Sequence, residues 1–335
     1  MKPVNILMTA GSRRVPLVHA FRNALRSTGL PGCVIVTDVN PLSPAVHVAD
    51  RAYRVPLATD PGYVPELLAI CEAEGVRLVV PTIDDELPLI GGSHEQFRAA
   101  GAIVASSSRE TALLCNDKYA TCRHLQDAGV PAARTWLASE LPAQTALPLF
   151  IKPRGGRGAV GAFPMRSPRE LDFFTGYVED AVIQEYLDGP EFTIDVLCDF
   201  DGRPLSIVPR ERVVIRSGVM DRGRTVRDEK LTALAIAACD AIPFVGPINI
   251  QCRMSGDQPK IFEINPRFSG GIPLTIQSGA DFPRMLLRLV VGGRVDPSIG
   301  AYRDDLWMTS FESAFFLDAA EIVMPVLDRH ISEVA

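Results

Sequence analysis

Val4-Asn5-Ile6-Leu7-Met8-Thr9, closed by Ala10-Gly11-Ser12-Arg13-Arg14, is followed by apolar residues at Val15, Val18, Phe21 and Leu25. The first segment reads as a strand and the second repeats with a helical period. The alternation continues outward. Residues 33–37 read as a second strand ending in Asp38, and 63–74 as a helix with Val64, Leu67, Leu68 and Cys71 on one face. Residues 77–80 form another strand stopped by Pro81, and 102–105 a short fourth. Strand–helix–strand in repetition predicts a parallel sheet covered by helices, and continuously apolar runs belong to strands buried on both faces.

Beyond residue 108 the pattern changes. Residues 109–128 read as helix; 148–152 and 182–186 are apolar runs flanking a Gly-rich stretch at 155–161. Longer alternating runs follow at 192–198, 205–208, 248–253 and 260–264, with a helix at 231–241 between them. Alternation predicts an antiparallel sheet with one open face. Asp199-Phe200-Asp201-Gly202-Arg203 and Ser255-Gly256-Asp257-Gln258-Pro259 read as hairpin turns.

The chain has 335 residues, 34 Lys plus Arg against 40 Asp plus Glu, and a net charge of −6. Its length predicts roughly two or three structural units. With 47% hydrophobic and 22% charged residues, the composition is that of a globular protein. The acidic balance speaks against nucleic acid as a partner, which needs clustered positive charge. No apolar run approaches a membrane span, and the first strand is too short for a signal-peptide core, so the expectation is a cytoplasmic protein. Seven scattered cysteines without C-x-x-C spacing predict reduced thiols.

Several places carry chemistry. Gly11-Ser12 after the first strand reads either as a tight turn or as an anion site at a helix N-terminus; Asp38 would suit a ribose, but G-x-G-x-x-G is absent. Thr82-Ile83-Asp84-Asp85-Glu86 reads either as a helix cap pairing Thr82 with Asp85 or as a substrate contact at a strand end. Lys152 ends a buried strand, where a charge needs a partner, and Arg154-Gly155-Gly156-Arg157-Gly158 beyond it reads as a phosphate-cradling nest or a surface hairpin. Glu263, Asn265 and Arg267 share a strand face, with Gln251 on the preceding strand: hard oxygen donors suited to Mg²⁺ beside a cation, or else a solvated charged face. Ser269-Gly270-Gly271 follows as another N–H-rich turn. Arg210, Arg212 and Arg216 stand even numbers of residues apart, which would place them on one strand face to recognise a carboxylate or phosphate; a solvated mixed-charge segment is the other reading.

Together, Asn116-Asp117-Lys118, Ile151-Lys152-Pro153 with its glycine loop, Gln184-Glu185-Tyr186-Leu187-Asp188-Gly189-Pro190-Glu191, Gln251 and Glu263-Ile264-Asn265-Pro266-Arg267 occur in this order. They resemble the ATP-grasp family, and within it the carbamoyl-phosphate synthetase large-chain-like group. The resemblance implies a fold that is α/β and α+β, with a parallel pre-ATP-grasp domain at 1–108 and an ATP-grasp domain at 109–335. The latter would comprise a lid subdomain at about 115–190 and a metal and substrate subdomain at about 191–335.

It also implies roles. Lys118, Lys152 and the loop glycines Gly155, Gly156 and Gly158 would hold ATP phosphates. Gln184, Glu185, Tyr186 and Leu187 would line the adenine hinge, and Glu191 would bind the ribose. Gln251, Glu263 and Asn265 would ligate two Mg²⁺ ions, with Mn²⁺ as a substitute. Arg267 and Lys152 would be the catalytic cations, and Arg210, Arg212, Arg216, Ser269, Gly270 and Gly271 would surround the substrate. The glycine loop departs from the synthetase pattern at Arg154 and Arg157, and only one grasp half is present. The expected activity is a stand-alone carboxylate–amine ligase acting through an acyl phosphate on a small carboxylic or amino acid. The alternatives are carbamoyl-phosphate-type or acyl-phosphate-forming kinase chemistry, or a non-catalytic nucleotide-binding protein. Expected partners are a small carboxylate, an amine and, as is common among relatives, a second copy of the chain.

Overall fold

A computed structural model describes residues 2–156, 158 and 160–327. Two compact units are present. One comprises the described residues through Ser106 together with Pro283–Arg294 and those from Glu312 onward; the other comprises Ser107–Phe282 and Val295–Phe311.

The first unit is an open parallel sheet. Its elements are β1 (Asn5–Met8), α1 (Val15–Thr28), β2 (Val34–Asp38), β3 (Arg51–Arg54), α2 (Tyr63–Glu74), β4 (Val76–Val80), α3 (Leu87–Gly91), α4 (His94–Ala99) and β5 (Ile103–Val104). The strand order is β3-β2-β1-β4-β5, all parallel. Leu7, Ile35 and Val79 meet Leu67, Ile70, Cys71 and Phe97 in the core. β3 has no apolar run to betray it, because its residues lie at the sheet edge, partly exposed.

The second unit begins with α5 (Arg109–Asn116) and α6 (Lys118–Asp127). A continuous helix was expected here. It breaks because Asp117 adopts an extended backbone and its side chain caps α6, accepting from the Ala120 N–H at 3.0 Å. A four-stranded antiparallel sheet follows, from β6 (Thr135–Leu137), β7 (Leu149–Pro153), β8 (Phe163–Met165), α7 (Pro168–Tyr177) and β9 (Ala181–Glu185), in order β6-β9-β7-β8.

The larger sheet is built from β10 (Glu191–Cys198), β11 (Pro204–Arg216), β12 (Val219–Thr225), β13 (Gly246–Ser255) and β14 (Gln258–Asn265), with α8 (Glu229–Ala241) between β12 and β13. After α9 (Ile272–Gln277) and α10 (Phe282–Val290), β15 (Trp307–Thr309) completes the order β14-β13-β10-β11-β12-β15. One face of this sheet presents Ile194, Val196, Ile250, Cys252, Ile261 and Ile264 to Cys122, Leu125, Leu234, Ala235 and Ala238 of the helices. Because successive side chains alternate, the other face is polar.

The chain enters β10 through a close crossing. Gly189 donates its N–H to the Met254 carbonyl at 3.2 Å, and a Cβ added there would overlap that oxygen. Gly176, inside α7, has open space around it. Gly189→Ala should therefore lower stability by about 1–3 kcal/mol, as overpacking does. Gly176→Ala should raise it by about 0.5–1 kcal/mol through lost unfolded-state entropy. Urea unfolding of both variants checks the opposite signs.

Candidate functional site

The polar face of the larger sheet collects the residues that the sequence singles out. On β10 it bears Glu191 and Asp195; on β11, Arg210 and Arg212; on β13, Gln251 and Arg253; and on β14, Glu263 and Asn265. Register sets Gln251 opposite Glu263 and Asn249 opposite Asn265. The Asn265 amide donates to Glu263 Oε1 at 3.2 Å, and Arg267 Nη2 lies 3.4 Å from Asn265 Oδ1. Among the described residues no three His, Cys, Asp or Glu side chains gather as a metal-binding cluster. Of the oxygens on this face, those clustered at Gln251, Glu263 and Asn265 come from one carboxylate and two carboxamides.

Lys152, at the end of β7, reaches β14. Its Nζ donates to the Phe262 carbonyl at 3.1 Å, stands 3.9 Å from Glu263 Oε2 and lies 5.0 Å from the Phe262 ring centre. Burial pushes the lysine below its ordinary pKa, and Glu263 opposes that shift. Lys118 opens α6 and donates to the Gly156 carbonyl at 2.9 Å. Asp117 beside it pairs with Arg154 at 2.6 Å. Gly155, Gly156 and Gly158 form an open loop with no atom near where a Cβ would stand. The expected contribution of Arg157 lies outside the described residues.

Gln184 is buried, donating to Thr135 Oγ1 at 3.0 Å, while Leu187 is buried and Tyr186 half-buried. Glu185 accepts from the Arg134 N–H at 2.9 Å and from Lys260 Nζ at 2.9 Å. Burial alone would raise its pKa; the Arg134 N–H and the Lys260 ammonium outweigh it and hold the carboxyl below its usual range. Glu191 is gripped by two arginines, Arg212 at 2.8 Å and Arg253 at 2.5 Å. Neither Arg253 nor Lys260 was singled out from sequence: alternation along β13 places Arg253 beside Gln251, but Lys260 comes opposite Arg253 only through a register shift in the β13–β14 pairing.

The three arginines do not stay together. Arg210 and Arg212 are buried, whereas Arg216 is exposed near Asp221 at 3.8 Å. The β11–β12 pairing shifts register between Arg212 and Val214 and again between Val214 and Ile215. Such a bulge breaks the two-residue alternation, so even spacing no longer means a shared face. Arg212 donates to Gln251 Oε1 at 2.9 Å and to the Gly218 carbonyl at 2.6 Å. A Cβ on Gly218 would stand 3.0 Å from the Gly158 Cα, which places the β11–β12 turn on the glycine loop. Val219 lies against Gly270 in the same way, and Ser269 accepts from Arg210 at 2.9 Å.

Two candidates in the first unit resolve as local structure. One Asp38 oxygen accepts from the Asn40 N–H in its own turn at 2.9 Å, and the other from the Ser12 N–H in the turn after β1 at 2.7 Å. Thr82 and Asp85 do not open a helix: α3 begins at Leu87, and Glu86 at its N-cap makes no side-chain cap bond. That buried carboxylate accepts from the Thr82 N–H at 2.8 Å and from Tyr63, while the Thr82 hydroxyl donates to Thr9 and Ala10 carbonyls.

Residues 177–313 match the family model described as ATP-grasp in the biosynthetic pathway with Ter operon, and residues 6–105 match the PylC-like N-terminal domain. The ATP-grasp match falls on the segment that carries Glu185, Gln251 and Glu263. It is 24% identical to the carbamoyl phosphate synthase large chain of Mycobacterium sp. (strain JLS), a match over 88% of this chain but 29% of that protein. The chain thus spans under a third of the length of that curated relative. Biotin carboxylase from Campylobacter jejuni superposes with TM-score 0.71 at 17% identity, covering 89% of this chain and 73% of that one. L-amino acid ligase from Bacillus licheniformis gives 0.65 at 19%, covering 89% and 78%. These likenesses fix the fold: a parallel α/β domain followed by an ATP-grasp domain with two antiparallel sheets. No helix among the described residues is long and apolar enough to cross a membrane.

Lys152 is a buried cation with a depressed pKa, so it costs stability when charged. Lys152→Met removes that titrating group and also takes the lysine from Glu263 and the Phe262 carbonyl. The wild type sheds its penalty as pH rises through the lysine's lowered pKa, so its stability should gain on the variant's between about pH 7 and pH 10. Urea titrations at the two pH values check the trend.

Proposed function

We propose that the chain is an ATP- and Mg²⁺-dependent carboxylate–amine ligase acting through an acyl phosphate on a small carboxylic or amino acid. The observation that carries this reading is the meeting of Lys152 with Glu263, 3.9 Å apart, on the face that also bears Gln251 and Asn265. Phosphates need cations, and the metal that accompanies them needs hard oxygen donors; here both stand together. Lys118 and the glycine loop add donors from the other sheet's side of the same unit. In this reading the stretch 115–190 serves as the lid.

The donor set fits Mg²⁺: Glu263, Gln251 and Asn265 offer one charged and two neutral oxygens. When bound, the ion would neutralise phosphate charge. A substrate carboxylate oxygen attacks the γ-phosphorus of ATP; the new O–P bond forms as the bond to the β–γ bridging oxygen breaks, and ADP leaves with that electron pair. An amine nitrogen then attacks the acyl carbon. The C–N bond forms, the C–O bond to phosphate breaks, phosphate departs and the nitrogen loses its proton. Arg267 and Lys152 stabilise the negative charge on the transferring group, and Glu191 orients the ribose. The amino-acid substrate class is supported by the name of the Bacillus licheniformis ligase that shares the fold.

ADP release measured over the twenty amino acids, singly and in pairs, tests the reading. At least one combination should release ADP and form an amide visible by mass spectrometry. Glu263→Gln should cut turnover by about 100-fold or more, with unchanged circular dichroism. Silence across the panel, or normal turnover in Glu263→Gln, would overturn it.

A further inference from the structure

Arg210 is too deeply engaged to meet a substrate. It and Asp195 are each 1% exposed. Arg210 Nε donates to Asp195 Oδ2 at 2.8 Å, Nη1 to Met220 Sδ at 3.3 Å and Nη2 to Ser269 Oγ at 2.9 Å. Asp195 Oδ2 also accepts from Thr275 Oγ1 at 2.5 Å. A Cβ on Gly271 would overlap the guanidinium. The pair therefore bridges two central strands to both ends of the segment Ser269–Thr275.

We propose that Asp195, Arg210 and Thr275 form a positioning clamp that holds the segment after β14 in place. Arg210, marked as a substrate ligand by its spacing, is on this geometry a positioning residue. Two adjacent glycines leave Gly270-Gly271 with wide backbone freedom, so the segment needs an external restraint. A buried ion pair gives weak net stability, because desolvating both charges offsets their attraction; it does impose one geometry, since guanidinium and carboxylate tolerate few arrangements once buried. The segment begins two residues after Arg267, whose own N–H bonds to the Asn265 carbonyl at 2.8 Å. Holding Ser269 and Gly271 thus fixes the chain that carries Arg267 beside Glu263 and Asn265. The consequence for chemistry rests on the ligase reading; the clamp itself does not.

Two variants of the full chain test it. Thr275→Val removes one donor at nearly constant shape, and Arg210→Lys keeps the charge but loses the planar fork. Amide hydrogen exchange without ligand should accelerate about fivefold to tenfold at 267–277 in Thr275→Val. Exchange in β10 and β13, and the thermal midpoint, should stay near wild type. In ADP release with the amino acid found by the panel, kcat should fall about tenfold or more in both variants, with little change in either KM. Uniformly faster exchange with a lowered midpoint in Thr275→Val would make the trio an ordinary core contact and overturn the proposal. So would unchanged exchange with a raised KM for the amino acid in Arg210→Lys, which would return Arg210 to substrate binding. Opened exchange with unchanged kcat would refute the positioning role. A wild type silent with every amino acid counts against the ligase reading alone, and the exchange comparison still decides the clamp.

Discussion

The two-residue alternation of the larger sheet governs everything placed on it. Ile194, Ile250 and Ile264 must face the helices, because exposing them would forfeit the largest stabilising term the unit has. The same backbone then has no choice but to turn Asp195, Gln251 and Asn265 the other way. A slip of one residue in β10 or β13 would bury the carboxylate and expose the isoleucines, so apolar packing holds the polar register. The polar face is therefore positioned by residues that take no part in its chemistry. Where the alternation is interrupted, at the bulge after Arg212, its neighbour Arg216 leaves the face.

Charge on that face is balanced locally rather than by the protein as a whole. The chain carries a net −6, yet Lys152, Arg210, Arg212 and Arg253 converge on one sheet surface. Each meets an acid: Glu263, Asp195 or Glu191. The cations and carboxylates satisfy one another, so the surface presents no bare charge and its desolvation cost stays moderate.

Much of this was legible in the sequence. The parallel unit follows from its unbroken apolar runs, and the helix Tyr63–Glu74 falls on the expected residues. The motif from Glu263 to Arg267 and its partner Gln251 meet as spacing suggests, because a hairpin converts sequence distance into register. What escaped depends on long-range context. β3 is an edge strand without an apolar signature. The break at Asp117 turns on one capping bond that a helical pattern does not reveal. β11 runs to Arg216, well past the apolar stretch ending at Val208, because its far half pairs with β12 and not with the core. Arg210 appeared free to bind substrate because its partners Asp195 and Ser269 lie 15 and 59 residues away. Nothing local could show that its charge was already taken.

The glycine loop and the β11–β12 turn meet at Gly158 and Gly218, backbone against backbone, and Gly189 meets Met254 through main-chain atoms. Joints of this kind read the path of the chain and ignore the side chains around it. Flanking residues can drift without moving the joint, provided the glycines remain. A fold assembled from such joints can travel far through sequence space while its architecture stands still. A superposition of 0.71 at 17% identity is what that tolerance looks like from outside.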